Sequence, residues 1–382
     1  MSFFGPSSPP KTRLGLHQIL SSTAAVKVSP LALGGISIGD SWSSVFGKNE
    51  EAFKLLDAYF EEGGNFIDTS NVYNSEDSER RIGDWMHERD VRDQMVIATK
   101  YTAGYKFYDR ERLPFQSNYT GNSAKSMHIS VRDSLKKLRT DYIDILFVHW
   151  WDFGTSVEEV MKHLHALVLA RQVLYLGISD TPAWVVVKAN AFAKANGLTP
   201  FSVYQGKWNA AFRDMEAEII PMCQDQGMAI MPWAALGGGQ LLSAEQREKL
   251  KEDGNASGRQ ANITEKNIRV SNALEKLATA KNTTLQAVAL AYLISQSPYV
   301  VPLVGVQTVE HVTAMSATLD IRLTDEDVKS IHEASPFDPL FPMSFLFNFR
   351  GEQPYHLGLT ERDNQQYQMA ARIGGPPKQR PY

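Results

Sequence analysis

The chain has 382 residues, 43% of them hydrophobic, with 39 basic against 43 acidic side chains and a formal net charge of -4. That length buries a large core, enough for one big α/β barrel or for two ordinary domains. The near-even charge leaves no basic stripe for nucleic acid or an anionic membrane, so the expected partner is a small neutral molecule. The single cysteine, Cys223, excludes an internal disulfide and reads as a small buried apolar residue of an intracellular chain. No segment has the unbroken apolar length needed to span a bilayer. The opening "MSFFGPSSPPKTRLG" also lacks the basic and apolar regions of an export signal, so a cytoplasmic location is expected.

Residues 1–27 form a polar lead-in with short β-like pieces. From residue 28 onward, short apolar runs alternate with longer amphipathic segments: "VSPLALGGISIG", "NFIDTS", "MVIATK", "IDILFVH", "VLYLGIS", "FSVYQGKW", "GMAIMPWAAL" and "VVPLVGV". They read as buried strands. Between them lie helix signals. "NEEAFKLLDAYFEEGG" opens with an Asn cap and early acids and closes on glycines, whereas "SVEEVMKHLHALVLARQ" begins with a capping-box pattern and ends in a basic turn. Strands alternating with helices in this number predict an α/β fold, a (β/α)8 TIM barrel over residues 28–333. The glycines of "LGGISIGD" do not open a helix in a Gly-x-Gly-x-x-Gly frame, which argues against a doubly wound dinucleotide-binding sheet. Two segments fall outside the barrel pattern. One is a long Gly- and charge-rich connection, 237–264; the other is a Pro- and aromatic-rich C-terminal tail, 334–382, expected to pack partly on the barrel and to end disordered in "GGPPKQRPY".

Barrels of this kind place their chemistry at the C-terminal ends of the strands. Asp68 ends the second run, Lys100 the third and His149 the fourth, and Tyr73 follows Asp68 by five residues. A tyrosine at its ordinary pKa near 10 transfers protons sluggishly at neutral pH, and a nearby ammonium such as Lys100 is expected to lower that pKa. Asp68 as an ion-pair partner would keep a buried Lys100 charged. His149 would donate a hydrogen bond that orients a substrate oxygen. The set suits protonation of an oxygen that becomes negative as a hydride reaches its carbon. His163 and His165, two apart on a helix, point to different faces and do not suggest a shared metal, and no metal site is expected.

"FIDTSNVYNSEDSERRIG", "IATK" and "DYIDILFVHW" resemble the active-site blocks of the aldo-keto reductase superfamily. "HWWDFGTSVEEVM", "LGISDTPAWVV", "YQGKWNAAFRDMEAEIIPMC" and "PWAALGGGQL" further resemble its fungal branch of aryl-alcohol dehydrogenases and norsolorinic acid reductases. The resemblance implies that Tyr73 is the general acid, that Lys100 and Asp68 tune it and that His149 positions the carbonyl. It also implies NADP(H) laid across the barrel mouth. The nicotinamide amide would meet Ser179, Asp180 and Gln205, with Asp68 close by, and Trp233 would stack under the nicotinamide ring. Ala234, Ala235, Leu236, Gly237 and Gly238 would follow the pyrophosphate, which makes 237–264 a cofactor-side loop. Val306, Gln307, Thr308, His311 and Ala314 would receive the adenosine end. Asp180 stands where the family usually has Asn, and the adenosine block lacks the family's usual Arg, leaving Gln307, Thr308 and His311 as polar candidates for the 2′-phosphate.

Trp42, Trp150 and Trp151 follow strand ends, and the tail adds Phe345, Phe347 and Phe349. With Trp42 and Trp150 as substrate contacts beside His149, such a mouth would favour a flat aromatic carbonyl. The expected activity is NADPH-dependent interconversion of an aryl aldehyde or aromatic polyketide-type ketone and its alcohol, in fungal secondary metabolism. The alternative is a non-catalytic nucleotide-sensing subunit that keeps the reductase fold.

Overall fold

The computed structural model describes residues 5, 7–46, 50–253, 262–347, 357, 359–360, 363–371 and 374. An antiparallel hairpin comes first, β1 (Gln18–Ser21) with β2 (Ala24–Val28). Eight parallel strands follow: β3 (Ala32–Gly34), β4 (Phe66–Asp68), β5 (Val96–Tyr101), β6 (Ile143–Val148), β7 (Val173–Ser179), β8 (Val203–Lys207), β9 (Ala229–Trp233) and β10 (Leu303–Val304). They pair in the order β10-β3-β4-β5-β6-β7-β8-β9. A parallel bridge from Ile230 to Val300, with Ile230 N donating to Tyr299 O at 2.9 Å and Val301 N to Ile230 O at 2.9 Å, joins the last strand to the first. The (β/α)8 barrel read from the sequence is therefore present, each expected run contributing one strand.

Period-two alternation sorts the strand residues into two layers. Ala32, Phe66, Ala98, Ile145, Phe147, Val203, Ala229 and Met231 belong to the barrel interior, closed from below by Leu20, Ala24 and Val28 of the hairpin. Ile67, Ile97, Leu146, Ile178, Tyr204 and Ile230 belong to the layer between strands and helices. The hairpin realises the β-like pieces of the lead-in, and its apolar face is a plug for the barrel floor.

Helices follow the strands as expected, with local differences. The helix Val157–Leu169 is capped by Ser156, whose hydroxyl accepts from Glu159 N at 3.1 Å, but it ends before Arg171, so its last turn carries no basic residue. The helix Ala52–Glu61 is preceded by Glu51, which makes no side-chain cap; the expected Asn cap, Asn49, lies outside the described residues. The 237–264 connection contains a helix, Ala244–Asp253, which the sequence reading leaves as loop; it is polar all round and offers no apolar period to find. Residues 254–261 lie outside the described part, as do Phe349 and residues 375–382 of the expected disordered end. No helix among the described residues is long and apolar enough to cross a membrane.

One interior glycine shows how the barrel supports its mouth. A Cβ at Gly177 would lie 2.5 Å from the Phe147 ring, and that ring lies 5.8 Å from the Lys100 ammonium. Gly177→Ala should therefore push Phe147 toward Lys100 and lower the unfolding free energy by about 1–3 kcal/mol. Denaturant unfolding of the variant against the wild type checks this.

Candidate active site

The same parity that builds the core builds the site. Asp68 shares the inward face of β4 with Phe66, and Lys100 that of β5 with Ala98. Lys100 lies level with Phe147 of β6, and Ser179 lies level with Gln205 across β7 and β8. At the strand ends these side chains meet. Lys100 Nζ donates to Asp68 Oδ2 at 2.6 Å and to the carbonyl of Thr69 at 2.7 Å, and Gln205 Nε2 donates to Asp68 Oδ1 at 2.8 Å. Both members of the pair are buried, Lys100 completely. Burial alone would push Lys100 toward neutrality, but Asp68 and Tyr73 more than offset it and hold its pKa above the ordinary value. Burial pushes the Asp68 carboxyl up, against the pull of Lys100 and Gln205.

Tyr73 stands over this pair, its ring 4.9 Å from Lys100 Nζ. Here the structure corrects the sequence expectation. Burial raises the Tyr73 pKa, the Lys100 charge lowers it and the Asp68 charge raises it, and the outcome is above the ordinary 10 rather than below. The ion pair is nearly neutral seen from the phenol, so the ammonium only partly offsets desolvation.

His149 lies beside Tyr73, ring centroids 5.9 Å apart. Burial first, and the Lys100 charge second, push its pKa well below 6.5, so the imidazole is neutral at pH 7. Its Nδ1 faces the Ser70 hydroxyl at 3.4 Å.

These groups open onto a cavity of about 700 Å³, within the range that small-molecule and cofactor sites occupy. Asp68, Tyr73, His149, Ser179, Asp180, Gln205, Trp233, Ala234, Ala235, Leu236, Gly238, Val306, Gln307 and His311 line it, as the sequence reading proposed for a binding mouth. Lys100, fully buried, is not part of the lining, and neither are Gly237, Thr308 and Ala314. Thr308 instead caps the short helix Val309–Ala314, accepting from His311 N at 3.3 Å, and Ala314 is exposed at the far end of that helix. Gln307 Nε2 donates to Phe46 O at 2.6 Å, and the Gln307 N–H donates to His311 Nδ1 at 3.3 Å. Gly34, Ile36, Ser37, Val45, Phe46, Gly239, Leu303 and Gly305 also line the cavity and were missed; all but Gly34 and Leu303 lie outside the strands, where no alternation marks a position.

Among the described residues the buried Ser179 hydroxyl has no hydrogen-bond partner within normal geometry, with the Asp180 carboxyl, whose pKa it lowers, as a polar neighbour. Gly237, Gly238 and Gly239 take φ of +68°, +65° and +89°, which glycine adopts without strain, and two of their N–H groups close the turn: Gly237 N–H donates to Ala234 O at 2.8 Å and Gly239 N–H to Leu236 O at 3.3 Å. Asp180, itself at φ +41°, accepts from Trp233 Nε1 at 3.0 Å. Burial raises its pKa, opposed by Trp233, Lys100 and Ser179.

The flanking aromatics are arranged less directly than expected. Trp42 packs edge-on against Tyr73 with centroids 6.2 Å apart, and Trp150 lies against His149 at 4.7 Å, but neither lines the cavity itself. Trp151 is buried in the outer layer, and Phe345 and Phe347 do not line the cavity. His163 is exposed, whereas His165 pairs with Thr199 at 3.1 Å. Among the described residues no cluster of three or more His, Cys, Asp or Glu is arranged to hold a metal ion.

The sequence profile of the aldo/keto reductase family matches residues 30–336. The chain belongs to the aldo/keto reductase family. Among curated proteins this reductase is 49% identical over 379 residues to norsolorinic acid reductase of Aspergillus flavus, covering 98% of this chain and 95% of the relative. It is 50% identical over 357 residues to aryl-alcohol dehydrogenase [NADP(+)] of Phanerodontia chrysosporium, covering 90% and 91%. A putative aryl-alcohol dehydrogenase of Saccharomyces cerevisiae matches at 47% over 378 residues, covering 97% and 98%. The reductase is therefore an oxidoreductase, and the Asp68, Tyr73, Lys100 and His149 constellation lies within the matched region.

Two outcomes test the electrostatics of the reductase. Lys100→Met strands a buried Asp68 carboxylate and should cost about 3–5 kcal/mol of stability, much of it recovered when Asp68→Asn is added. The depressed His149 pKa contributes stability that is present above the unfolded value near 6.5 and is lost as pH falls below it. The wild type should therefore lose stability relative to His149→Asn by up to about 1.4 kcal/mol per pH unit below that point. Unfolding curves at pH 7.5, 6.5 and 5.5 measure the difference.

Proposed function

We propose that this reductase interconverts an aryl aldehyde or aromatic polyketide-type ketone with its alcohol, using NADP(H), in the manner of enzymes of fungal secondary metabolism. The observation that carries the reading is Tyr73 above the buried Lys100–Asp68 pair, with neutral His149 at its side, in the wall of a cavity of about 700 Å³. The names of the relatives support the substrate class and the cofactor.

A reduced nicotinamide bound there supplies a hydride to the carbonyl carbon. Tyr73 donates its proton to the carbonyl oxygen as negative charge builds on it, and in the reverse direction takes that proton back. The Lys100 charge stabilises the phenolate left behind, and Asp68 keeps Lys100 protonated in its dry site. His149 carries a single N–H and no charge, so it orients the substrate oxygen without competing as an acid. Trp42 and Trp150 hold Tyr73 and His149 from outside the cavity wall.

The cofactor would run along the cavity. Ser179, Asp180 and Gln205 would hold the nicotinamide amide near Asp68, and Trp233 would lie against the ring. Ala234 to Gly238 would follow the pyrophosphate, and Val306, Gln307 and His311 of the cavity wall would receive the adenosine end, with Thr308 and Ala314 behind them. We place the enzyme in the cytoplasm, a reading supported by its single, buried cysteine.

Tyr73→Phe should retain NADPH binding, followed by tryptophan fluorescence quenching, and slow single-turnover reduction of an aryl aldehyde by about 10²–10⁴-fold. Tight NADPH binding with no turnover in the wild type across a panel of aryl aldehydes would overturn the enzymatic reading in favour of nucleotide sensing. NADPH should bind more tightly than NADH, and equal affinities would remove the assigned 2′-phosphate contacts at the adenosine end.

A further inference from the structure

Immediately after Tyr73, three consecutive non-glycine residues, Asn74, Ser75 and Glu76, take φ of +50°, +55° and +77°. Asparagine tolerates this region, but serine and glutamate seldom enter it, so the turn persists only because its surroundings hold it. Asn74 is tied down on one side: its amide donates to Ile36 O at 2.8 Å and its oxygen accepts from Trp42 N at 2.9 Å. At Glu76 a glycine would relieve the backbone, so a glutamate there requires another reason.

That reason is not helix capping. Glu76 stands at the N-cap of the helix Asp77–Arg89, yet its side chain makes no capping hydrogen bond. The carboxylate turns inward, with the residue 1% exposed. Its Oε1 accepts from Lys106 Nζ at 2.6 Å and from the Tyr108 hydroxyl, and its Oε2 faces Lys137 Nζ at 3.0 Å. Lys137 also pairs with buried Glu79 at 2.7 Å and donates to Asn71 O at 3.3 Å, within the segment that leads into Tyr73. Two carboxylates and two ammonium groups thus meet inside the protein, with the half-exposed Arg80 guanidinium 3.8 Å from Glu76 Oε1 at the edge of the cluster, and removing one buried member would unbalance the others.

Lys106 and Tyr108 come from the mouth-side loop that follows β5. The same loop reaches the His149 strand end at its far side, where Asn122 donates to Trp150 O at 3.1 Å and the Asn122 N–H donates to Asp152 Oδ2 at 2.7 Å. One segment therefore braces both the turn behind Tyr73 and the loop behind His149.

We propose that Glu76 is a positioning residue whose buried carboxylate clamps the left-handed turn behind Tyr73 to the 102–122 loop, so that the placement of the Tyr73 hydroxyl and the order of that loop form one cooperative unit. The kinetic consequence rests on the reductase reading above, whereas the structural coupling does not.

The first test is amide hydrogen exchange on the full chain, wild type against Lys106→Met, a change that leaves the sequence of the turn untouched. Coupling predicts faster exchange in peptides covering residues 70–78 as well as in those covering 102–110, by at least about fivefold. Acceleration confined to the loop peptides would overturn the proposal, whether or not the protein is a reductase.

The second test is kinetic. Glu76→Gly relieves the backbone and removes the clamp together. If Glu76 were only a strained residue, this variant would be more stable and would turn over as fast as the wild type, which would sink the idea. The clamp predicts unchanged NADPH affinity with single-turnover reduction slowed by at least about tenfold, because a small displacement of the proton donor is enough. Glu76→Gln, which keeps the shape and part of the hydrogen bonding, should recover some of that loss. Glu76→Gln combined with Lys106→Met should be no slower than the worse single variant, and additive losses would count against a shared unit. A wild type that fails to reduce any aryl aldehyde would refute the reductase reading while leaving the exchange experiment decisive for the clamp.

Discussion

The buried pair of Asp68 and Lys100 is the constraint around which the mouth of this barrel is organised. A fully buried ammonium is tolerated only when its charge is met at close range, and here a carboxylate at 2.6 Å and a backbone carbonyl at 2.7 Å meet it. The second carboxylate oxygen is taken by Gln205, from the opposite side of the barrel. The pair thereby ties β4, β5 and β8 together across the interior. Its charges also set the ionisation of the groups above it, because in a dry site their fields reach the phenol and the imidazole little screened.

Those ionisation states divide the labour at the site. His149 is neutral, since burial and the Lys100 charge both oppose a second cation there. Tyr73 is protonated with room to spare, since the burial that desolvates it outweighs an ammonium already compensated by Asp68. A site poised this way holds one proton to give and one neutral donor to orient. In the proposed reaction the phenol would become a better acid only as negative charge builds on a substrate oxygen beside it, where the field of Lys100 would act on the transition state.

Around this centre the fold uses strain and small residues for definite purposes. Gly177 makes room for Phe147 under Lys100, and the glycines at 237–239 turn the backbone along the cavity wall. The left-handed turn after Tyr73 is held by side chains on both sides, Asn74 reaching the loop after β3 and Glu76 the loop after β5. Local backbone preference alone would not hold Tyr73 there.

By itself, the sequence determined the class of the fold and the strand-end members of the site. Eight short apolar runs at helix-separated intervals specify a parallel barrel, and the ends of those runs point to Asp68, Lys100 and His149, whereas Ser179 and Gln205 were named only through the family resemblance and share the inward face in the structure. Features lacking a period were not legible: the polar helix Ala244–Asp253, the lining residues Val45, Phe46 and Gly305, and the retreat of Trp42 and Trp150 behind the cavity wall. Nor could the direction of the Tyr73 shift be read in advance, because the residues that desolvate the phenol come from distant parts of the chain. The buried cluster joining Glu76 to Lys106 and Lys137 was hidden for the same reason. Periodicity reports which face a side chain takes, but the balance between burial and charge is decided only when distant segments are brought to within a few ångströms of one another.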